Sequence, residues 1–106
     1  MSEQLIDRIR AELADRQTRE TKMFGGLAFM VDEAMAVSVG KDALLVRVEH
    51  DRYPELITRP GARPAMMGAD RPMGTGWLEV DEAALADDEA LRSWLDEGLA
   101  AAAHGR

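Results

Sequence analysis

The stretch that decides the fold is KMFGGLAFMVDEAMAVSVGKDALLVRVE, residues 22–49. From Lys22 to Val31 the side chains alternate, with Leu27, Phe29 and Val31 on one side and Ala28 and Met30 on the other, the period of a strand. Asp32-Glu33 interrupts the run. Ala34 to Val39 resumes it, with Met35, Val37 and Val39 set against Ala36 and Ser38. After a second interruption, Gly40-Lys41-Asp42, the segment Ala43 to Glu49 places Leu44, Val46 and Val48 opposite Leu45 and Arg47. Three alternating runs joined by such short turns predict an antiparallel meander. One face is strongly apolar. The other, with Ala28, Met30, Ala36 and Leu45, is more apolar than a solvated sheet face requires.

The flanks supply the cover. Leu5, Ile6, Ile9 and Leu13 recur at helical spacing, predicting an amphipathic helix from Ser2 to about Gln17, with Ser2 able to cap its first turn. Downstream of the meander, Asp51 is placed to cap a short helix through Tyr53, Leu56 and Ile57. Pro54 is tolerated in its first turn, and Arg59-Pro60-Gly61 ends it. A loop-rich segment, 60–76, has a strand around Pro64 to Met67, and Trp77 to Val80 forms another. The last element is a helix from about Asp88 to His104. Its stripe is Leu91, Trp94, Leu95, Gly98, Leu99 and Ala102, and Asp87, Asp88 and Glu89 sit at the positive end of its dipole. Gly98 within the stripe costs about 1 kcal/mol of helix propensity, which signals close packing there, beneath a Trp. Asp96 and Glu97 are read as the outer face. The expected fold is therefore α+β: a two-layer antiparallel sheet with helices packed on it, in the order α-β-β-β-α-β-β-α.

Length and composition bound the function. A chain of 106 residues holds a single domain spanning 1–106, and the size-scaling laws give it a folded surface of about 5,900 Å². With no cysteine there is no disulfide, thiolate nucleophile or cysteine-based zinc site. A net charge of −7 argues against generic phosphate-backbone binding. That charge is uneven: residues 1–31 are neutral, residues 32–73 carry −1, and residues 74–106 carry −6. No segment approaches the ~20 apolar residues of a membrane span, and the acidic N-terminus lacks the pattern of a signal peptide, so a cytoplasmic location is expected.

Little in the residues points to catalysis. Ser2, Ser38 and Ser93 sit in no nucleophile elbow, and only His50 and His104 could serve as bases. Glu49-His50-Asp51 is a consecutive run whose side chains diverge rather than converge on a metal. The three acids at 87–89 are accounted for by helix-end electrostatics. Gly25-Gly26 precedes a strand rather than a helix, so it is no phosphate loop; a bulge or a close backbone approach is the simpler reading, and a backbone-lined ligand groove is the other. Arg59, Arg63 and Arg71 interleave with Met66, Met67 and Met73 in the Pro/Gly-rich segment, a composition suited to partner binding and a local basic island in an acidic chain. It lacks the aromatic platforms of a single-strand nucleic-acid binder.

Met23-Phe24-Gly25-Gly26, following an amphipathic helix and leading into hairpin-linked strands, resembles the N-terminal domain of the TfoX/Sxy family. Leu44-Leu45-Val46-Arg47-Val48, Arg59-Pro60-Gly61-Ala62-Arg63-Pro64, Arg71-Pro72-Met73, Gly76-Trp77 and Asp87-Asp88-Glu89-Ala90-Leu91 with Trp94 extend the likeness over about residues 3–103. The resemblance implies a secretion-chaperone-like α+β domain without catalytic residues to carry over. In full-length competence regulators of this family the domain precedes a helical one and acts with the cAMP receptor protein at competence promoters. The present length accommodates only the first domain, so a stand-alone relative is expected.

Together these readings predict a non-enzymatic regulatory or protein-interaction domain, such as a transcription co-regulator, with no cofactor and no metal. It is expected to work as a homodimer through the second sheet face, with Arg59, Arg63, Arg71, Met66 and Met67 as a candidate interaction surface and Met23, Phe24, Gly25 and Gly26 as a structural motif. Direct nucleic-acid binding and membrane association are not expected. The alternative is a small anionic ligand-binding protein, or an enzyme, that combines the Gly25-Gly26 edge with the Arg-Pro loop in one groove.

Overall fold

Glu3–Glu12 forms α1, whose Leu5, Ile6 and Ile9 are buried; Leu13 extends the stripe, its amide donating to the Ile9 carbonyl at 2.9 Å. This computed structural model describes residues 3–23, 26–31, 33–40, 42–66 and 71–104. Of the sequence expectations, those at Ser2, Phe24, Gly25, Asp32, Lys41 and Met67, and those on the side chains of Met23 and His104, lie outside the described residues.

The helix ends at Glu12, short of Gln17, and the chain turns before it enters a strand at Thr18. β1 (Thr18–Met23) pairs antiparallel with β2 (Gly26–Val31), so the run Lys22 to Val31 is not one strand: Lys22 and Met23 end β1, and β2 begins at Gly26. β3 (Ala34–Val39) and β4 (Ala43–Arg47) complete the meander. A 3-10 turn, His50–Arg52, leads into α2 (Tyr53–Leu56), with Pro54 in its first turn as the backbone demands. Asp51 lies within that 3-10 turn rather than capping α2, which has no side-chain cap. β5 (Ala62–Pro64) starts two residues before the strand expected there; β6 (Trp77–Asp81), a 3-10 turn (Glu82–Leu85) and α3 (Asp88–His104) follow. The order α-β-β-β-α-β-β-α is thus present, with β1 added ahead of the meander.

The six strands form one antiparallel sheet in the order β1-β2-β3-β4-β6-β5. Laterally paired residues share a face. Phe29, Val37 and Val46 pair in succession, as do Leu27, Val39, Leu44 and Val80, and all are buried. They join Leu5, Ile9, Leu56, Leu85, Leu91, Trp94 and Leu95 in one core, so α1, α2 and α3 cover this one face. α1 lies beside α3 with the two chains running the same way: Arg8 reaches Asp88 at 3.0 Å, and one turn on Arg92 reaches Glu12 at 3.0 Å. The accessible surface is 6195 Å², close to the value expected from length.

The β2–β3 register slips between Phe29 and Met30: Phe29 opposes Val37, yet Met30 opposes Met35, leaving Ala36 as the extra residue of a bulge. Strict alternation puts Met35 in the core face and Ala36 opposite. The bulge reverses this order, and Met35 shares the face of Met30 and Ala28. At Ala36 the backbone is approached by α3, where a Cβ on Gly98 would stand 2.8 Å from the Ala36 carbonyl oxygen and 3.0 Å from Val37 Cγ1. The close packing anticipated at Gly98 is therefore against the β3 backbone rather than a Trp. Gly98→Ala is expected to destabilise the domain by about 1–2 kcal/mol in urea unfolding, the clash outweighing the gain in helix propensity.

Candidate interaction surface

The three arginines of the Pro/Gly-rich segment have different fates. Arg59 follows α2 and is folded back onto α3: its Nη1 donates to Ser93 Oγ at 3.0 Å, its guanidinium lies 5.5 Å from the Trp94 ring centroid, and Glu55 and Glu97 stand 3.5 and 4.0 Å away. Arg63, on β5, is paired with Glu79 at 3.2 Å and with Asp81. Arg71 is exposed and makes no ion pair with another described residue. Met66 bridges to Pro72, and the Met73 amide donates to the Ala65 carbonyl at 2.8 Å, so the loop is closed at its base. The basic island seen in the sequence is thus largely neutralised within the chain.

Gly26 and the arginines do not meet. Gly26 begins β2 and Arg63 sits on β5, four strand spacings away, about 19 Å at the usual separation of ~4.8 Å. One groove cannot include both. At Gly26 the reading of a close backbone approach holds, since a Cβ there would stand 2.2 Å from the Val39 carbonyl oxygen.

The face turned away from the helices is the more coherent surface. Its central row is Thr21, Ala28, Ser38, Leu45, Glu79 and Arg63, one residue from each strand. Ala28 and Ser38 are 0% and 5% exposed, and Leu45 stands half-buried beside them. At one end of the face Arg47 lies 4.6 Å from the Trp77 ring centroid and donates from Nε to the Met35 carbonyl at 2.7 Å. Met30 and Met35 continue this row toward β1. The Arg47–Trp77 pair was not read from sequence; the two residues face each other only once β6 is placed beside β4.

Glu97 was misplaced by the sequence reading. Far from lying on the outer face, its side chain is 15% exposed and accepts from Arg52 Nη2 at 2.6 Å and Nε at 3.2 Å. These bonds hold the Arg52 guanidinium above its ordinary pKa. Arg10 makes a similar fork to Glu20, at 2.8 and 2.7 Å, and its hydrogen bonds hold the Glu20 carboxyl below the usual range. The Glu20 contribution to stability is full at neutral pH and disappears as pH falls through the lowered folded value. Glu20→Gln is accordingly expected to lower the urea midpoint at pH 7, with the difference from wild type shrinking as pH falls through the lowered folded value of Glu20. His50 Nδ1 is hydrogen-bonded with Thr75 Oγ1. Among the described residues no group of three or more His, Cys, Asp or Glu is placed to hold a metal ion, and no helix is long and apolar enough to cross a membrane.

The family model of the TfoX N-terminal domain matches residues 11–102, from the end of α1 into the last turn of α3. The chain belongs to this family. This TfoX N-terminal domain is also similar in structure to a protein from Pseudomonas syringae, a structural-genomics target solved by crystallography. The two share 14% sequence identity with a TM-score of 0.65, over 92% of this chain and 96% of that one. The likeness is one of fold. No curated protein matches this TfoX N-terminal domain in sequence.

Proposed function

We propose that the chain is a non-enzymatic regulatory or protein-interaction domain that works as a homodimer in the cytoplasm, through protein contacts rather than duplex DNA. The observation that carries this reading is the one-sided packing of the sheet. Helices cover a single face, and the other carries half-buried Met30, Leu45 and the Arg47–Trp77 pair beside buried Met35, Ala28 and Ser38. Methionine, tryptophan and arginine are the side chains enriched at protein interfaces, and an antiparallel sheet solvated on one side ordinarily alternates to polar residues there. The regulatory part of the reading follows the family, whose full-length members act on competence promoters alongside another protein.

Sedimentation at micromolar concentration is expected to give about twice 11.7 kDa. Leu45→Asp should return the monomer mass with an unchanged circular dichroism spectrum, because Leu45 is on the open face and its removal leaves the core intact. A wild-type chain that sediments as a monomer up to 100-fold higher concentration would refute the dimer.

A further inference from the structure

The two edges of the sheet are guarded differently. β5 is three residues long and ends at Pro64, and its Arg63 is tied to Glu79 and Asp81. A short edge closed by proline is a poor template for another strand. β1, the opposite edge, is six residues long and holds no proline, and its ladder with β2 is continuous from Thr18↔Val31 to Met23↔Gly26. No described strand pairs with its outer side, and Thr18, Arg19, Glu20 and Lys22 are exposed. Nor does α1 close over it: an open groove of about 630 Å³ runs between helix and strand, lined by Ile6 and Leu27 and by the charged Asp7, Arg10, Glu20 and Lys22. What guards this edge is charge alone, and the order of the charges selects a partner.

A second copy that adds its own β1 about a twofold axis normal to the sheet makes an antiparallel pair. Residues opposed across such a ladder share a face, so the axis passes through one residue and its own copy. Centred on Arg19, Glu20 or Lys22, the pairing sets that charge directly against its like, which is destabilising. Centred on Thr21 it does not. Thr21 then faces the partner's Thr21, and Glu20 faces the partner's Lys22 on both sides of the axis, the threonine and opposite-charge pairs that favour a sheet. Glu20 can accept this second cation. Its fork with Arg10, at 2.8 and 2.7 Å, takes one bond on each carboxylate oxygen, and its side chain keeps 31% of its surface exposed. Lys22 makes no ion pair with another described residue. We propose that β1 is a docking edge for a second copy of this chain, in the register that sets Thr21 opposite its own copy. This contact is independent of the open-face dimer above, and a chain can make both.

The contact is one strand against one strand, so it is best read by a covalent trap. The chain has no cysteine, and a single introduced cysteine therefore links only to its own copy. Opposed Cα atoms lie about 4.5–5.5 Å apart across an antiparallel pair, within disulfide reach, whereas positions 20 and 22 stand about 8 Å from their own copies in this register. In a glutathione redox buffer, Thr21→Cys is expected to form a disulfide-linked dimer about tenfold faster than Glu20→Cys, Lys22→Cys or Asp96→Cys, an exposed α3 control. Adding Lys22→Glu, which leaves the Arg10–Glu20 fork in place, should remove that advantage. Mixing this chain with Thr21→Cys carrying Glu20→Lys should restore it as a mixed dimer, because opposite charges again face each other. Faster linkage through Glu20→Cys or Lys22→Cys would overturn the register. A Thr21→Cys rate equal to that of Asp96→Cys, or indifferent to Lys22→Glu, would overturn the edge contact itself. Leu45→Asp should leave the Thr21→Cys rate unchanged; a fall would assign the cross-link to the open-face contact and overturn the separate edge.

Discussion

Gly26→Ala is expected to leave the domain largely unfolded. The added methyl would stand 2.2 Å from the Val39 carbonyl oxygen and 3.1 Å from its carbon, well inside any van der Waals contact. Most overpacking costs about 1–3 kcal/mol because neighbouring side chains can swing aside. Here the obstruction is backbone, held where Leu27 pairs with Val39 and Gly26 with Met23. Relief requires opening the β2–β3 or the β1–β2 ladder at that end, and the cost should exceed the usual range. A domain of this size has a total stability of only about 5–15 kcal/mol. Circular dichroism at 25 °C and urea titration check it: a Gly26→Ala midpoint near wild type would mean the strands separate there without penalty.

Phe29→Ala is the second large effect. Phe29 is 0% exposed in the middle of β2, between Val37 on one side and the Glu20 backbone on the other, with the helices across the core. Truncation removes the largest fully buried side chain among the described residues, and the surrounding strands cannot collapse around the void without breaking register. A loss of about 3–5 kcal/mol is expected, read as a lower urea midpoint with an unchanged slope. Phe29→Leu, which refills much of the volume, should recover more than half of it.

Much of this architecture was legible in the alternation of residues 22–49 and in the stripe of α3, because both are local periodicities set by burial on one face. What was not legible depended on partners distant in sequence. β1 is polar at Arg19, Glu20 and Lys22, and its identity as a strand comes from pairing with β2 and from the Arg10–Glu20 contact. The bulge at Ala36 inverts the parity of Met35, and a bulge adds a residue without any signature in the alternation itself. The surface was the least readable part. Arg59 and Arg63 looked available because, Glu55 apart, their acceptors, Ser93, Glu97, Glu79 and Asp81, are 16 or more residues away. Glu97 looked solvated because it flanks the stripe of α3, where only the arrival of Arg52 and Arg59 makes it an inner residue.

The placement of α3 also orders events during synthesis. The apolar face formed by Phe29, Val37, Val39, Leu44 and Val46 is complete in sequence by β4, yet the helix that packs across β3 and β4 is the last seventeen-residue element of the chain. A nascent chain emerging from the ribosome therefore exposes a sticky sheet before its lid exists, with α1 as its only early shelter. Domains caught in that condition attract chaperones and aggregate readily. The fold can first close only once Trp94, Leu95 and Gly98 have left the exit tunnel.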